Sequence, residues 1–310
     1  MNVGDLSLER FAARLATGGV AIRWGPFVSR IVIKLPELAA PIHLLYADFP
    51  IEPPGGICDF HVLLRARSLF HPWAEPRVEF ILNGNRDLRP LPRRAALALF
   101  EWGLNWCVYS SAHQFLIIHA AVVERDGWAL LMPGQPGAGK STLCAALVSA
   151  GWRLLSDELA LLDPFAGCLS PIARPISLKN DSVAIVRRTM PDAVFGPPTG
   201  NTAKGTIAHM KPPRQSVRRV DEIAWPRWIV APGFSPDATL QFAPISKAQA
   251  FFMTADSAIN YGILGAAGFT AMCRLIDACD CYRLTHSDID GATAALDRLR
   301  PGLRRDLHVA

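Results

Sequence analysis

The sequence predicts an α/β fold with a mixed sheet and a small β-rich N-terminal region. Three observations predict it. A glycine-rich motif at residues 134–141 lies between an apolar run and a helix-forming run, the order of a strand, a loop and a helix. The strand before this motif is one arm of a hairpin, so antiparallel strands must lie beside it. Short alternating segments in the first hundred residues indicate further strands.

Residues 1–110 are predicted to form the β-rich region, with a helix that links it to the rest of the chain. Leu6–Thr17 has the spacing of a short amphipathic helix. Strands are predicted at Val20–Trp24, Phe27–Ile33, Cys58–Arg65 and Arg77–Leu82. The linking helix opens at residues 90–93 and runs to about Ser110. No recognisable chemistry lies in this region.

Residues 111–310 are predicted to form a second domain, which begins with a hairpin. Gln114–Glu124 is a strongly apolar strand, residues 125–127 form the turn, and Trp128–Met132 returns into the glycine-rich motif. His119 lies in the first arm. An isolated histidine in an apolar strand is usually a core residue, but the hairpin brings this strand alongside the motif, so a core role and a functional role both stay open.

The motif itself fits G-x-x-x-x-G-K-[ST], the P-loop or Walker A pattern. Glycines let backbone N–H groups close around phosphate oxygens, a lysine places a positive charge on the β- and γ-phosphates, and a serine hydroxyl can ligate Mg²⁺. The pattern therefore predicts binding of ATP and Mg²⁺; the alternative is a turn between two core elements. The predicted binding residues are Gly134, Gln135, Pro136, Gly137, Ala138, Gly139, Lys140, Ser141 and Thr142.

An acidic pair, Asp157-Glu158, follows a short predicted strand at Arg153–Leu155. Carboxylates at the end of a strand near a phosphate loop can hold Mg²⁺ or take a proton from a substrate hydroxyl. Elsewhere such a pair is usually solvated surface. Its position directly after the helix that follows the motif favours the functional interpretation.

The segment Gly196–Ser216 is rich in glycine and proline and is predicted to be a long loop, of the kind that often forms a lid. Lys204 and His209 would then close on phosphates or substrate; a plain surface connection is the alternative. From Ile245 to the end the chain is predicted to be mainly helical, with helices at Lys247–Met253, Ile259–Ile276 and Asp288–Leu299.

Composition limits the classes of function. The net charge of +5 is spread along 310 residues, which argues against nucleic acid as a partner. Seven cysteines without a C-x-x-C pair, and an N-terminus without an apolar signal core, predict reduced thiols in the cytoplasm. The most apolar region, Ala95–Val123, is interrupted by polar residues, so no membrane span is expected.

The stretch from Ile118 to Asp163 resembles the catalytic core of the HPr kinase/phosphorylase family: a histidine-bearing hairpin, a phosphate loop, one helix and an acidic pair. The wider pattern is similar to the branch called HprK-related kinase A. It includes FEWGLNWC (Phe100–Cys107), ARPISLKN (Ala173–Asn180), TAKGTIAH (Thr202–His209), PRWIV (Pro226–Val230) and CDCY (Cys279–Tyr282). The fold implied is a P-loop kinase core with a mixed sheet, related to phosphoenolpyruvate carboxykinase.

The resemblance implies a role for each matching residue. Asp157 matches the catalytic acid/base carboxylate, and Glu158 stands where the family has a second aspartate, which implies contact with the metal alongside Asp157 and Ser141. His119 matches the histidine close to the transferred phosphate, and Lys140 keeps its catalytic place in the loop. The family's segment E-x-R-G-L-G-I has no full counterpart, so neither HPr as the substrate nor the phosphorylase reaction is implied.

The function expected is therefore an ATP- and Mg²⁺-dependent kinase, a transferase acting on a serine or other hydroxyl of a protein or small molecule. The alternative is a regulatory or assembly module that binds ATP and transfers nothing. The resemblance also suggests a small PqqD-like partner protein, and a homo-oligomer is possible.

Overall fold

The computed structural model describes residues 1–67, 75–202 and 204–300, and within them the chain is α/β with mixed sheets, as predicted. The strands are β1 Val20–Trp24, β2 Phe27–Ile33, β3 Phe60–Ala66, β4 Arg77–Leu82, β5 Leu91–Pro92, β6 Leu116–Arg125, β7 Trp128–Pro133, β8 Arg153–Ser156, β9 Leu159–Leu162, β10 Leu169–Ser170, β11 Ile176–Lys179, β12 Thr199–Thr202, β13 Gly205–Met210, β14 Trp225–Phe234, β15 Gln241–Pro244 and β16 Asp280–His286. The helices are α1 Leu8–Ala16, α2 Ala39–Leu45, α3 Ala96–Ser111, α4 Lys140–Ser149, α5 Asp181–Thr189, α6 Arg214–Arg218, α7 Lys247–Asp256, α8 Tyr261–Ala278 and α9 Ile289–Asp297.

The chain divides into two compact units. The first comprises Met1–Ser111, Arg174–Ala184 and Asp192–Arg218, and the second comprises the remaining residues. The boundary predicted between residues 110 and 111 falls beside the first junction. Residues 174–184 and 192–218, which the sequence assigned to 111–310, cluster instead with the first unit.

The first unit contains two sheets. One has the strand order β1-β2-β3-β4-β5, in which β2 and β3 are parallel and the other neighbours are antiparallel. β1, β2 and β3 bury alternate residues, so one face of each strand is covered, whereas β4 is buried along almost its whole length. The other sheet is antiparallel, with the order β11-β13-β12.

The prediction that Gly196–Ser216 is a long loop is wrong. The segment contains β12 and β13 and the first residues of α6; only Ala203 lies outside the described residues. Gly205 closes the turn between the two strands at φ +79°, and a Cβ there would collide with the side chain of Asn180. Gly205, one of the glycines that suggested a loop, therefore lies where the chain turns from one strand into the next.

The second unit is built on a mixed sheet with the order β10-β9-β6-β7-β14-β16-β15, and β8 also pairs with β6. β7, β14 and β16 are mutually parallel, whereas β6 runs antiparallel to β7. The carboxyl ends of the three parallel strands therefore meet at one edge of the sheet. The described chain after Ile245 is mainly helical, as expected, and α7, α8 and α9 lie close to their predicted positions; β16, a strand inside the sheet, was not predicted.

The two faces of β6 carry different layers. Leu116, Ile118, Ala120 and Val122 belong to a buried cluster that includes residues of α8. The alternate residues of β6, among them His119 and Ala121, therefore point to the opposite face. α4 packs against β6, and its buried leucines lie outside that cluster, which places α4 on the face of His119.

Candidate functional site around the glycine-rich loop

The glycine-rich loop, residues 134–139, leaves the sheet at the end of β7. Gly134, Gly137 and Gly139 have φ of +148°, +91° and +85°, values that residues with a side chain rarely adopt. α4 begins directly after Gly139, and no side chain caps it there. The first N–H groups of a helix are donors without intrahelical partners and carry the positive end of the helix dipole, so this loop has the backbone geometry of an anion site.

Lys140 is folded back on this loop. Its ammonium group donates hydrogen bonds to the carbonyl oxygens of Gly134 at 2.6 Å and Gln135 at 3.1 Å, and the residue is buried. A positive charge is therefore fixed beside the loop. Of the other predicted binding residues, Gln135, Pro136 and Gly137 are exposed, Gly134, Ala138, Gly139 and Ser141 are half-buried, and Thr142 is buried.

The acidic pair lies in a bend between β8 and β9, which run along the same side of β6. Val122 pairs with Ser156 before the bend, and His119 pairs with Leu159 after it. Because the register is constant between these two pairs, Asp157 lies opposite Ala121 and Glu158 lies opposite Ala120. The N–H of Ala120 donates to the carbonyl oxygen of Glu158 at 3.1 Å. The Ser156 hydroxyl fixes the bend because it accepts from the N–H groups of Glu158 and Leu159.

The same register brings the acidic bend close to the glycine-rich loop. On the other side of β6, Ala120 pairs with Pro133, the last residue before the loop. Pro133 and Glu158 are thus two strands apart, about 10 Å at the usual strand spacing. The sheet therefore sets the start of the loop and the acidic pair level with each other.

Asp157 lies on the face that carries α4. Asp157 is buried. Opposite residues of an antiparallel pair share a face of the sheet, so its side chain lies on the same face as those of Ala121 and His119. Burial raises the pKa of the Cys144 thiol in α4 well above its usual value, and the nearby charge of Asp157 adds to this effect. The half-buried His119 is a diagonal neighbour of Asp157, about 7–8 Å away on the same face.

The chain returns to this site after α7, a feature that the sequence did not reveal. Ala258 bridges Ile118, and the Ser257 carbonyl oxygen accepts from the His119 N–H at 2.7 Å, so residues 257–260 continue the pairing along β6 beyond the end of β7. The preceding residue, Asp256, accepts a hydrogen bond from the Gln135 side chain at 2.8 Å. The glycine-rich loop is therefore tied to the end of α7.

His209 and Lys204 belong to the first unit. His209 is only 1 % exposed within β13, and burial, reinforced by the charges of Arg174 and Lys179, lowers its pKa to about 3. It is a neutral core histidine in a strand, so its predicted place on a lid loop is wrong. Lys204 is exposed, and its ammonium group lies 4.8 Å from the centre of the Trp102 ring. Its predicted contact with phosphates stays a prediction.

Within the described residues, no group of three or more His, Cys, Asp or Glu side chains is arranged to hold a metal ion. Mg²⁺ commonly takes only one or two protein ligands and completes its shell with water and phosphate oxygens. Ser141, Asp157 and Glu158 supply oxygen donors of the kind that Mg²⁺ prefers, and their predicted role as its ligands stays a prediction. The helices of the described chain are too short or too polar to cross a membrane.

Comparison with known proteins adds no assignment: no protein-family model matches this chain, and no curated protein matches it significantly.

Proposed function

We propose that this chain is an ATP- and Mg²⁺-dependent phosphotransferase that acts on a hydroxyl group of a protein or a small molecule. The observation that carries the proposal is the register around β6. It sets Pro133, the residue before the glycine-rich loop, level with the bend that carries Asp157 and Glu158. A phosphate-binding loop and a carboxylate within reach of the terminal phosphate are the parts that phosphoryl transfer to a hydroxyl requires.

The loop would hold the triphosphate through the N–H groups at the start of α4. Lys140 would exchange its two carbonyl partners for phosphate oxygens, because hydrogen bonds between charged groups are stronger than those to neutral carbonyls. Ser141 and the carboxylates of Asp157 and Glu158 would hold Mg²⁺, which neutralises phosphate charge when it is bound. Catalysis would then consist mainly of positioning and electrostatic stabilisation.

Asp157 would accept the proton of the attacking hydroxyl. It is buried on the face of α4, whereas Glu158 is half-buried and better placed for solvent and metal. His119 on the same face would lie near the transferred phosphate, the role that the resemblance to HPr kinases implies. That resemblance also supports the choice of a protein hydroxyl, including one on a small PqqD-like partner, as an acceptor to test first.

Asp157→Asn tests the proposal against an ATP-binding module that transfers nothing. The variant is nearly isosteric and keeps one carbonyl oxygen that can still contact the metal, and Ser141 and Glu158 are unchanged, so we expect Mg²⁺·ATP affinity within a few-fold of wild type. Transfer of labelled γ-phosphate into a lysate of the source organism should fall about 10²–10⁴-fold, the usual effect of removing a positioned base. Near wild-type transfer by the variant would refute the role of Asp157, and a wild type that binds ATP but labels no acceptor would favour the binding module.

A further inference from the structure

Phe234 and His286 lie side by side at the edge of the sheet where the glycine-rich loop begins. They are direct partners in the parallel pair of β14 and β16, and their ring centres are 5.8 Å apart at an interplanar angle of 68°. β7 is parallel to β14, so the carboxyl ends of all three strands open on the same edge. Open α/β sheets bind their ligands at such an edge.

Phe234 also lies against the glycine-rich loop. A Cβ built on Gly139 would lie 3.6 Å from the Cβ of Phe234. The phenylalanine is 50 % exposed although it ends a strand in the middle of the sheet. An accessible aromatic side chain therefore stands beside the residue from which α4 starts.

His286 adds a buried hydrogen-bond acceptor to this position. The residue is 3 % exposed, and its Nδ1 lies 3.1 Å from the carbonyl oxygen of Asp288. Because a carbonyl oxygen can only accept, Nδ1 carries the proton and Nε2 of the neutral ring presents a lone pair. Burial lowers the pKa of His286, although its contact with Asp288 opposes this shift, so the ring stays neutral near pH 7.

Within the described residues, Nε2 of His286 has no hydrogen-bond partner. A buried polar atom without a partner is costly, and a donor from a bound ligand would remove that cost. An aromatic face and a buried acceptor beside a loop with the geometry of an anion site are complementary to a nucleoside that carries phosphates.

We propose that Phe234 and His286 form the nucleoside end of the nucleotide site, an inference that rests on the ATP-binding function proposed above. The base lies against the Phe234 ring, and Nε2 of His286 accepts a hydrogen bond from the nucleoside. Two groups of ATP can supply that donor, the 6-amino group of adenine and a ribose hydroxyl, and the experiment below separates them.

The first test compares calorimetric binding of Mg²⁺·ATP with that of Mg²⁺·tripolyphosphate, which has the phosphates but no nucleoside. Phe234→Ala should weaken ATP binding about tenfold, in line with the loss of a stacked base, and leave tripolyphosphate affinity within about twofold. Phe165→Ala, at an exposed phenylalanine in the turn between β9 and β10, should change neither. If Phe234→Ala does not fold, Phe234→Leu keeps the apolar bulk and should still weaken ATP binding selectively.

The second test uses His286→Phe, which keeps a ring but removes the acceptor. Wild type should bind about tenfold more weakly to whichever analogue lacks the donor: inosine triphosphate if the donor is the amino group, or a 2′- or 3′-deoxy-ATP if it is a hydroxyl. In His286→Phe that difference should vanish.

The outcomes separate this inference from the proposed function. Equal affinity of wild type for ATP and tripolyphosphate, or equal weakening of both by Phe234→Ala, would overturn the nucleoside assignment and leave the phosphate-binding loop intact. If His286→Phe still binds the analogue that lacks the donor about tenfold more weakly than ATP, His286 does not contact the nucleoside. If wild type binds neither ligand, the proposed function fails, and this inference fails with it.

Discussion

The ammonium nitrogen of Lys140 lies 2.6 Å from the carbonyl oxygen of Gly134, the first glycine of the loop that precedes it. The same ammonium group donates a second hydrogen bond to the carbonyl oxygen of Gln135, so its positive charge is held against the loop. The charge that a triphosphate requires is already in place. In the proposed nucleotide complex, Lys140 would exchange these neutral acceptors for charged phosphate oxygens.

Lys140→Ala should therefore weaken Mg²⁺·ATP binding at least tenfold in calorimetric titration and leave the fold intact. Lys247 provides a matched control, because its ammonium group also donates to backbone carbonyls, those of Ile276 at 2.6 Å and of Cys279 at the end of α8. Lys247→Ala should lower the melting temperature without affecting ATP affinity. Unchanged affinity in Lys140→Ala would contradict the assignment of the loop to a nucleotide.

Gly137→Ala should disturb the loop through its backbone alone. Gly137 has φ +91°, and no atom lies within 4 Å of the position of an added Cβ, so the cost is conformational and not steric. We expect a loss of about 1–2 kcal/mol in the free energy of unfolding, measured by urea denaturation, together with weaker ATP binding. Gly18→Ala, in equally open space without a positive φ, should cost less than about 0.5 kcal/mol. Equal costs at the two positions would contradict the strained loop geometry.

Breaking the buried ion pair between Arg153 and Glu124 should destabilise the folded chain far more than breaking an exposed one. Both side chains are almost inaccessible, and Arg153 also donates to the carbonyl oxygens of Arg219 and Glu222 at 2.9 Å. Arg153→Met leaves the Glu124 charge buried and should cost about 3–5 kcal/mol in urea denaturation. Arg93→Met breaks a half-exposed pair with Glu37 and should cost at most about 1 kcal/mol. A small cost at Arg153 would show that water, or Arg219 with its guanidinium 3.8 Å from the Glu124 carboxylate, compensates the charge once Arg153 is gone.

Buried His209 should make stability fall in acid. Its folded pKa of about 3 lies below the value of about 6.5 for an unfolded histidine, so below pH 6.5 the unfolded chain takes up a proton that the folded chain does not. The contribution of His209 to the free energy of unfolding is therefore complete above pH 6.5, and it declines as the pH falls towards 3. Between pH 6.5 and 5 the loss should be about 2 kcal/mol.

The variant His209→Gln carries no titrating group at this position. Its free energy of unfolding should therefore fall less between pH 6.5 and 5, by this amount. Urea unfolding curves at several pH values measure it. Parallel curves for wild type and variant would mean that His209 is accessible to protons in the folded chain.

Local patterns in the sequence predicted the elements that depend on local chemistry. β1 and β2 have their predicted bounds because alternating residues flank the Gly25-Pro26 turn, and the hairpin of β6 and β7 follows from its turn at residues 125–127. β16 was missed because it lies between helices in a region whose composition favours helix. β12 and β13 were missed because a glycine that closes a hairpin turn is indistinguishable in sequence from one in a loop.

The candidate site was predictable only where its residues are close in sequence. The loop, Lys140 and Asp157 follow one another along the chain, and the hairpin accounts for His119. The bond between Gln135 and Asp256 joins residues 121 positions apart, and an exposed aspartate at the end of a helix carries no sequence signal of its partner. His209 was predicted to lie on a loop because its own segment gave no sign of the strand pairing that buries it.

The return of residues 257–260 along β6 has a consequence for association between molecules. β6 is paired on one side by β8 and β9 and on the other by β7 and then by this segment, so its backbone stays covered where the chain leaves the sheet for the glycine-rich loop. An uncovered strand is a template on which a second chain can add. If the loop changes shape when the proposed nucleotide binds, β6 beneath it would therefore expose no unpaired backbone on which a second chain could add.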